Sequence, residues 1–375
     1  MNVLDVVILG AGIAGASLAW RLAERRSVLM LESESQPGYH STGRSAAMFM
    51  ESYGPPGVRA LTRASRAFYQ HPPAGFSDTP LMTPRGVLYV ANAGQQQLLA
   101  ELRQELTAAC PALADWSADI ALARVPVLRR ECLLSALWEP DACDLDVHAL
   151  HQGFLRGARQ RGATFRFKVQ ITGVRQVDGL WQLHHANVEP TLTRAVVNAS
   201  GAWGDEVAAM FGAAPVGLVP KRRSAFTFAA PAVVDTSAWP CVVGVDESYY
   251  FKPDAGRLLG SPANADPTVP HDVVPEELDI AMGIHAIEAV TTMSIRRPES
   301  TWAGLRSFVA DGELVIGWDR SCPGFFWLVG QGGYGIQSAA AASELAAALI
   351  CGELLPEALA RHGVKPQLMS PDRLR

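Results

Sequence analysis

The sequence is short of charge: Asp, Glu, Lys and Arg make up 18% of its 375 residues, against about 25% in an average soluble protein. With 49% hydrophobic residues, that excludes a disordered chain, which needs low hydrophobicity and high net charge. A basic excess is also missing. The 32 Lys and Arg stand against 37 Asp and Glu, a formal charge of −5, so no global positive field exists to hold a nucleic acid. Long apolar runs are absent too, and no transmembrane helix is expected. The longest stretch, 339–350, is interrupted by Ser343 and Glu344 and is too short to cross about 30 Å of hydrocarbon. No basic segment precedes the N-terminal apolar run, which ends in glycines. No secretory signal is therefore read, and the cytoplasm is the expected compartment. Six cysteines (Cys110, Cys132, Cys143, Cys241, Cys322 and Cys351) never approach a CxxC spacing, which argues against a zinc site or disulfide framework. No metal is expected.

What is present begins at the N-terminus, in a chain long enough for about two domains. Residues 5–9 read as a short buried strand, followed at once by Gly10-Ala11-Gly12-Ile13-Ala14-Gly15 and a helical stretch over 16–24. Strand, GxGxxG and helix together have a physical logic. Gly10 makes the tight turn, Gly12 lets backbone approach a pyrophosphate, and Gly15 lets helix and strand pack closely. The helix N-terminus then faces the phosphates. A second strand over 27–32 ends in Glu32, placed to accept hydrogen bonds from ribose hydroxyls, which favours NAD or FAD over NADP.

Further ligand-lining signals follow. The polar loop 36–47 contains Thr42, Gly43, Arg44 and Ser45, backbone and side-chain donors suited to a pyrophosphate and an adjoining flavin. Strand 195–198 runs into Ala199 and the glycine turn at Gly201, with Trp203 just beyond, a second backbone approach to the cofactor. Near the C-terminus, strand 325–329 runs into Gly330-Gln331-Gly332-Gly333-Tyr334-Gly335 and an alanine-rich helix over 336–350. The positive end of that helix can stabilise charge that develops on a reduced isoalloxazine.

The segments GAGIAG, Glu32, GRSAA, VVNASGAW, GLRSF and GQGGYGIQ resemble the D-amino acid oxidase/glycine oxidase class of FAD-dependent oxidoreductases over nearly the whole chain. Within that class, QPGYHSTGRSAA, RALTRASRAF, PKRRSAF, LLGSPANADP and WAGLRSFVADGELVIG resemble the bacterial FAD-dependent D-arginine dehydrogenase group. The resemblance implies an α/β fold: a discontinuous Rossmann-like FAD domain (1–80, 140–215, 300–375) and an α+β substrate domain with a mixed sheet (81–139, 216–299). It also implies oxidation of D-amino acids to imino acids, with a quinone as one expected electron acceptor and, in that case, peripheral association with a membrane. Ala46, Val174 and Ile336 are implied cofactor contacts. Between the cofactor segments, strands are expected over 86–91, 225–229 and 248–252, helices over 95–109 and 275–288, and the longest loop over 253–275.

Oxidising an amino acid needs its carboxylate fixed, its amine neutral and its Cα hydrogen aimed at the flavin, so the protein's task is mainly orientation. The resemblance puts Arg306 under the carboxylate and a second arginine at Arg223, with Arg222 on the other strand face. Tyr53, on a mobile loop, and Tyr250 are implied to close over the substrate, and the Gly333 carbonyl and Gln337 side chain to face its amine and the flavin. No general base is required, and His148 and His151 are read as structural. Where the D-arginine pattern carries an acid after its PR dipeptide, this chain reads Val87. A cation there would be buried unpaired. With Met48 and Met50 on the loop after GRSAA, the pocket reads as apolar and adaptable, and D-Leu, D-Met or D-Phe is expected over D-Arg or D-Lys unless Glu51 swings in. Glycine or sarcosine-type amine oxidation and a broad-specificity D-arginine dehydrogenase are the rival readings. Ser307 stands where sarcosine-oxidising members carry a flavin-linked cysteine, so the FAD is expected to be non-covalent.

Overall fold

A computed structural model of the chain describes residues 2–108, 110–186, 188–232 and 234–375. The central strand Val3–Leu9 lies between two parallel partners, Val28–Leu31 and Val188–Asn198. Thr164–Arg166 extends the sheet in parallel beyond the first, and Phe325–Val329 pairs in parallel with the end of the second. Val28–Leu31 and Phe325–Val329 are wholly buried, as expected where helices cover a parallel sheet. Ile13–Leu22 packs against both Val147–Gln160 and Gly335–Cys351. The register places Leu9 beside both Leu31 and Asn198, so the strand ends open together at Gly10, Glu32 and Ala199. Ligands bind at such carboxyl ends.

A second, nine-stranded sheet runs from Asp266–Pro267 to Ala114–Ser117. It is mixed, as expected: Val87–Ala91 pairs in parallel with Cys241–Gly244 and antiparallel with Ser135–Glu139. One face packs on Phe226, Phe251 and the helix Glu277–Val290. The other carries Val87, Tyr89 and Cys241 against Met48 and Met50. A small sheet of Met48–Phe49, Met82–Pro84 and Cys143–Leu145 lies between.

Several expectations need correction. Ser300–Phe308, assigned above to the cofactor unit, pairs along its length with Val219–Phe228 in the second sheet. The 253–275 loop contains the strand Arg257–Ser261, which pairs on both sides inside the sheet. Its Leu258-Leu259-Gly260 core is short, and the turn before it (Ala255 and Gly256, both at positive φ) made the segment read as a loop. The helix expected over 95–109 spans Gln96–Leu106, and Ala109 lies outside the described residues.

Candidate active site

The first βα turn is built so that only glycine fits. Gly10 has φ +105°, and a Cβ added there would lie 2.5 Å from the Ala199 carbonyl oxygen. At Gly15 it would lie 2.0 Å from the Gly10 oxygen. Glu32 accepts hydrogen bonds from the backbone of Ala11 (2.8 Å) and Glu34 (3.0 Å), which fixes its carboxylate at the strand end. Thr42 Oγ1 accepts from the Ile13 amide at the helix N-terminus, 3.0 Å away. Behind this loop, buried His151 donates Nε2–H to the Ala11 oxygen (2.9 Å). Burial and the neighbouring His148 push its pKa below the ordinary imidazole value.

Two openings, of about 1690 and 930 Å³, share Gly12, Ser41, Thr42, Ala199, Gly201 and Ala202 and so form one groove. Its outer half is walled by Gly10, Glu32, Trp203 and the segment 169–171. The inner half is walled by Ile13, Ala14, Ser45 and Ala46 on one side and by Gly332, Gly333, Gly335 and Ile336, at the start of the C-terminal helix, on the other. At the inner end stand Arg223, Arg306 and Tyr250. A groove from a ribose-binding acid, across a helix N-terminus, to a cationic end fits FAD in its extended form.

The cationic end is not neutralised. Burial, then Arg306, pulls Arg223 below the usual guanidinium pKa. Burial also opposes the charge on Arg306, which the phenols of Tyr53 and Tyr250 and the carboxylate of Glu247 more than offset. Arg223 Nε and the Tyr250 hydroxyl are both buried with no hydrogen-bond partner among the described residues. Arg306 Nη1 donates to the Tyr53 hydroxyl at 3.2 Å. Two half-buried cations and an orphaned phenol on one cavity wall are groups awaiting an anion. A Cβ at Gly333 would come within 2.8 Å of the Tyr53 hydroxyl and 3.1 Å of Arg306 Nη1, so a larger residue there would displace these two side-chain ends. The choice between neighbouring arginines is visible in the geometry: Arg222 turns away into Asp279 (2.9 Å), Glu276 and Asp266.

Other residues stand elsewhere than expected. Arg44 contributes backbone to the wall, but its guanidinium reaches Asp272 (2.5 Å) and the carbonyl oxygens of Val273 and Ala303, tying the loop to the second sheet. Val174 packs into the outer apolar cluster instead, and the wall near Glu32 is formed by Val169, Gln170 and Ile171. Val169 follows the strand Thr164–Arg166 that pairs beside Val28–Leu31, a crossing no local motif announces. Tyr334 buries its ring against Tyr53 and Phe308 and donates its hydroxyl to the Gly312 oxygen. Gly330 and Gly43 shape turns beside the groove. Gln337, expected to face the substrate amine, is buried and holds the backbone of the segment leading to Tyr53: its Oε1 accepts from Met50 N (3.1 Å), while Nε2 donates to Met50 O and Thr62 Oγ1.

Val87 is fully buried with Met48, Met50 and Tyr250 against its cluster. Glu51 does not reach it, being held by Arg66 at 2.5 Å. The acid nearest in register is Glu139, directly across from Val87 on the adjoining strand. Sequence reading missed Glu139 because only the pairing of two distant strands brings the residues together. No cysteine stands among the groove-lining residues; Ser307 does. Among the described residues no helix is long and apolar enough to cross a membrane and no metal-holding cluster occurs.

Comparison with known proteins bears on the groove directly. The chain is 24% identical over 275 residues to mitochondrial dimethylglycine dehydrogenase of Mus musculus, covering 69% of this chain and 30% of that protein. It thus spans about a third of the length of the dimethylglycine dehydrogenases it matches. Hydrogen cyanide synthase subunit HcnC of Pseudomonas aeruginosa is 24% identical over 401 residues, with 94% of this chain and 93% of that one covered. Among solved structures, glycine oxidase from Geobacillus kaustophilus superposes with TM-score 0.82 at 20% identity, covering 94% and 96% of the two chains. Iminodiacetate oxidase from Chelativorans sp. BNC1 gives 0.80 at 22%, covering 96% and 98%. The family model described as FAD dependent oxidoreductase matches residues 5–349, and with that span laid over the whole groove, the chain belongs to the DAO family of FAD-dependent oxidoreductases.

Proposed function

We propose that this protein oxidises apolar D-amino acids, removing the Cα hydrogen to yield an imino acid that hydrolyses to a 2-oxo acid and ammonia. The observation that carries this reading is the half-buried pair Arg223 and Arg306, neither in an ion pair among the described residues, with the orphaned Tyr250 hydroxyl on the same wall. Arg306 and Arg223 bind the substrate carboxylate, and their positive field also disfavours a second cation close by, so the amine is held neutral. Tyr250 donates its hydroxyl proton to the carboxylate. Tyr53, whose oxygen accepts from Arg306, keeps its own proton free to donate to the same group and screens it from water. FAD, held non-covalently along the groove by the Gly10–Gly15 turn, Glu32 and the Gly332–Ile336 helix start, supplies the hydride acceptor. The substrate side chain is directed toward the apolar cluster of Met48, Met50 and the fully buried Val87, which stands behind the groove lining rather than in it and favours D-Leu, D-Met or D-Phe over D-Arg.

The D configuration and the dehydrogenase reading, with a quinone as acceptor, rest on the sequence resemblance, as does a cytoplasmic or membrane-peripheral location. Dimethylglycine dehydrogenase, glycine oxidase and iminodiacetate oxidase among the similar proteins favour a second reading, oxidation of secondary or achiral amines. Steady-state turnover of a panel of D- and L-amino acids, glycine and sarcosine, with the 2-oxo acid identified, separates the two. D-Leu or D-Met with the highest kcat/KM supports the first; sarcosine or glycine highest replaces it. Acid precipitation is expected to release free FAD into the supernatant.

A further inference from the structure

Tyr53 sits in a short segment with two tethers. On the cofactor side, Gln337 holds the backbone of Met50. On the side of the second sheet, Ser52 Oγ donates to Glu139 Oε2 at 2.6 Å, and the Tyr89 hydroxyl lies 3.1 Å from Ser52 Oγ and 3.4 Å from the same carboxylate oxygen. Glu139 is 2% exposed, and among the described residues no cation pairs with it. A carboxyl buried without a counter-ion is costly, and its shortest hydrogen bond comes from Ser52, a loop residue adjoining Tyr53. Cys110 Sγ, 3.8 Å from Oε1, is its other neighbour.

We propose that Glu139 is a positioning residue for the reaction: by holding Ser52 from the substrate-side sheet, it keeps the Tyr53 hydroxyl over the Arg306 and Arg223 carboxylate site. This deepens the reading given above and rests on it for the identity of the substrate. Burial raises the Glu139 pKa, with the Glu51 charge adding to the effect, while the Ser52 and Tyr89 hydrogen bonds oppose it. Ser52 on the loop and Tyr89 on the strand Val87–Ala91 therefore supply the donors that favour the charged form. The groups facing the carboxyl are Tyr89, Cys110 and, through Ser52, the Glu51–Arg66 pair.

The test uses holoenzyme and two ligands. One is D-Leu. The other is 4-methylpentanoate, the same skeleton without its amine, whose binding is read from perturbation of the flavin band and needs no turnover. Glu139→Leu is expected to weaken 4-methylpentanoate binding and raise KM for D-Leu about tenfold with kcat changed less, and Glu139→Gln to recover most of the loss. In a Tyr53→Phe background the Glu139→Leu effect should largely vanish, because both changes act on one hydroxyl. Equal carboxylate affinity in wild type and Glu139→Leu would overturn the proposal, as would additivity with Tyr53→Phe. If no D-amino acid is turned over while the carboxylate results hold, the substrate assignment fails and the positioning role stands.

Discussion

At the residue scale, the proposed function rests on two guanidinium groups that share one wall. Truncating one member of a buried, hydrogen-bonded charge pair costs about 2–5 kcal/mol, so Arg306→Met and Arg223→Met are each expected to lower kcat/KM by at least 30-fold. FAD content, read from the visible spectrum, should change little. Arg222→Met, which removes only ion pairs with Asp279, Glu276 and Asp266, should lose stability rather than activity. Val87→Glu places a carboxyl directly across from Glu139. Two such acids cannot both ionise cheaply, so a guanidinium between them is favoured, and KM for D-Arg is expected to fall at least tenfold. No gain with D-Arg would count against Val87 as part of the side-chain pocket.

At the element scale, the glycine turns and the strands leading into them were readable because their constraints are local. Gly10 must hold φ +105° and approach Ala199, and both demands act within one strand–turn–helix unit. Gly10→Ala is expected to yield apoprotein that purifies colourless, whereas Gly173→Ala, at a site with nothing within 4 Å, should keep its flavin. What was not readable depended on pairing between distant segments. Val169 rather than Val174 reaches the groove, Arg44 turns to Asp272, and Gln337 holds the backbone of Met50. In each case the residue's identity allowed several partners, and only the tertiary register chose one. Arg257–Ser261 was lost for a related reason: its two leucines are too few to outweigh the turn residues around them.

At the scale of the whole molecule, the groove lies where two sheets meet, and pH acts on it through a buried base. His151 has a folded pKa below its unfolded value of about 6.5. The unfolded state therefore binds the extra proton, and stability is present above about pH 6.5 and declines as pH falls below it. The folded state should lose stability as pH falls below about 6.5, measured as the unfolding midpoint in urea at each pH, and His151→Gln should flatten that limb by removing the titrating group while keeping a donor for the Ala11 oxygen. The two-sheet organisation itself was legible from the sequence, since the N-terminal turn, the 199–203 turn and the C-terminal glycine loop all point at one cofactor. The boundary was not, because Ser300–Phe308 belongs by pairing to the second sheet while Arg306 on it faces the groove.

The most direct measurement is the anaerobic visible spectrum of the purified protein on addition of single D- and L-amino acids, glycine and sarcosine. Bleaching of the flavin band by D-Leu, D-Met or D-Phe, weak bleaching by D-Arg and none by the L-enantiomers is the expected result. A flavin that only glycine or sarcosine reduces, or that no amino acid reduces, would contradict it.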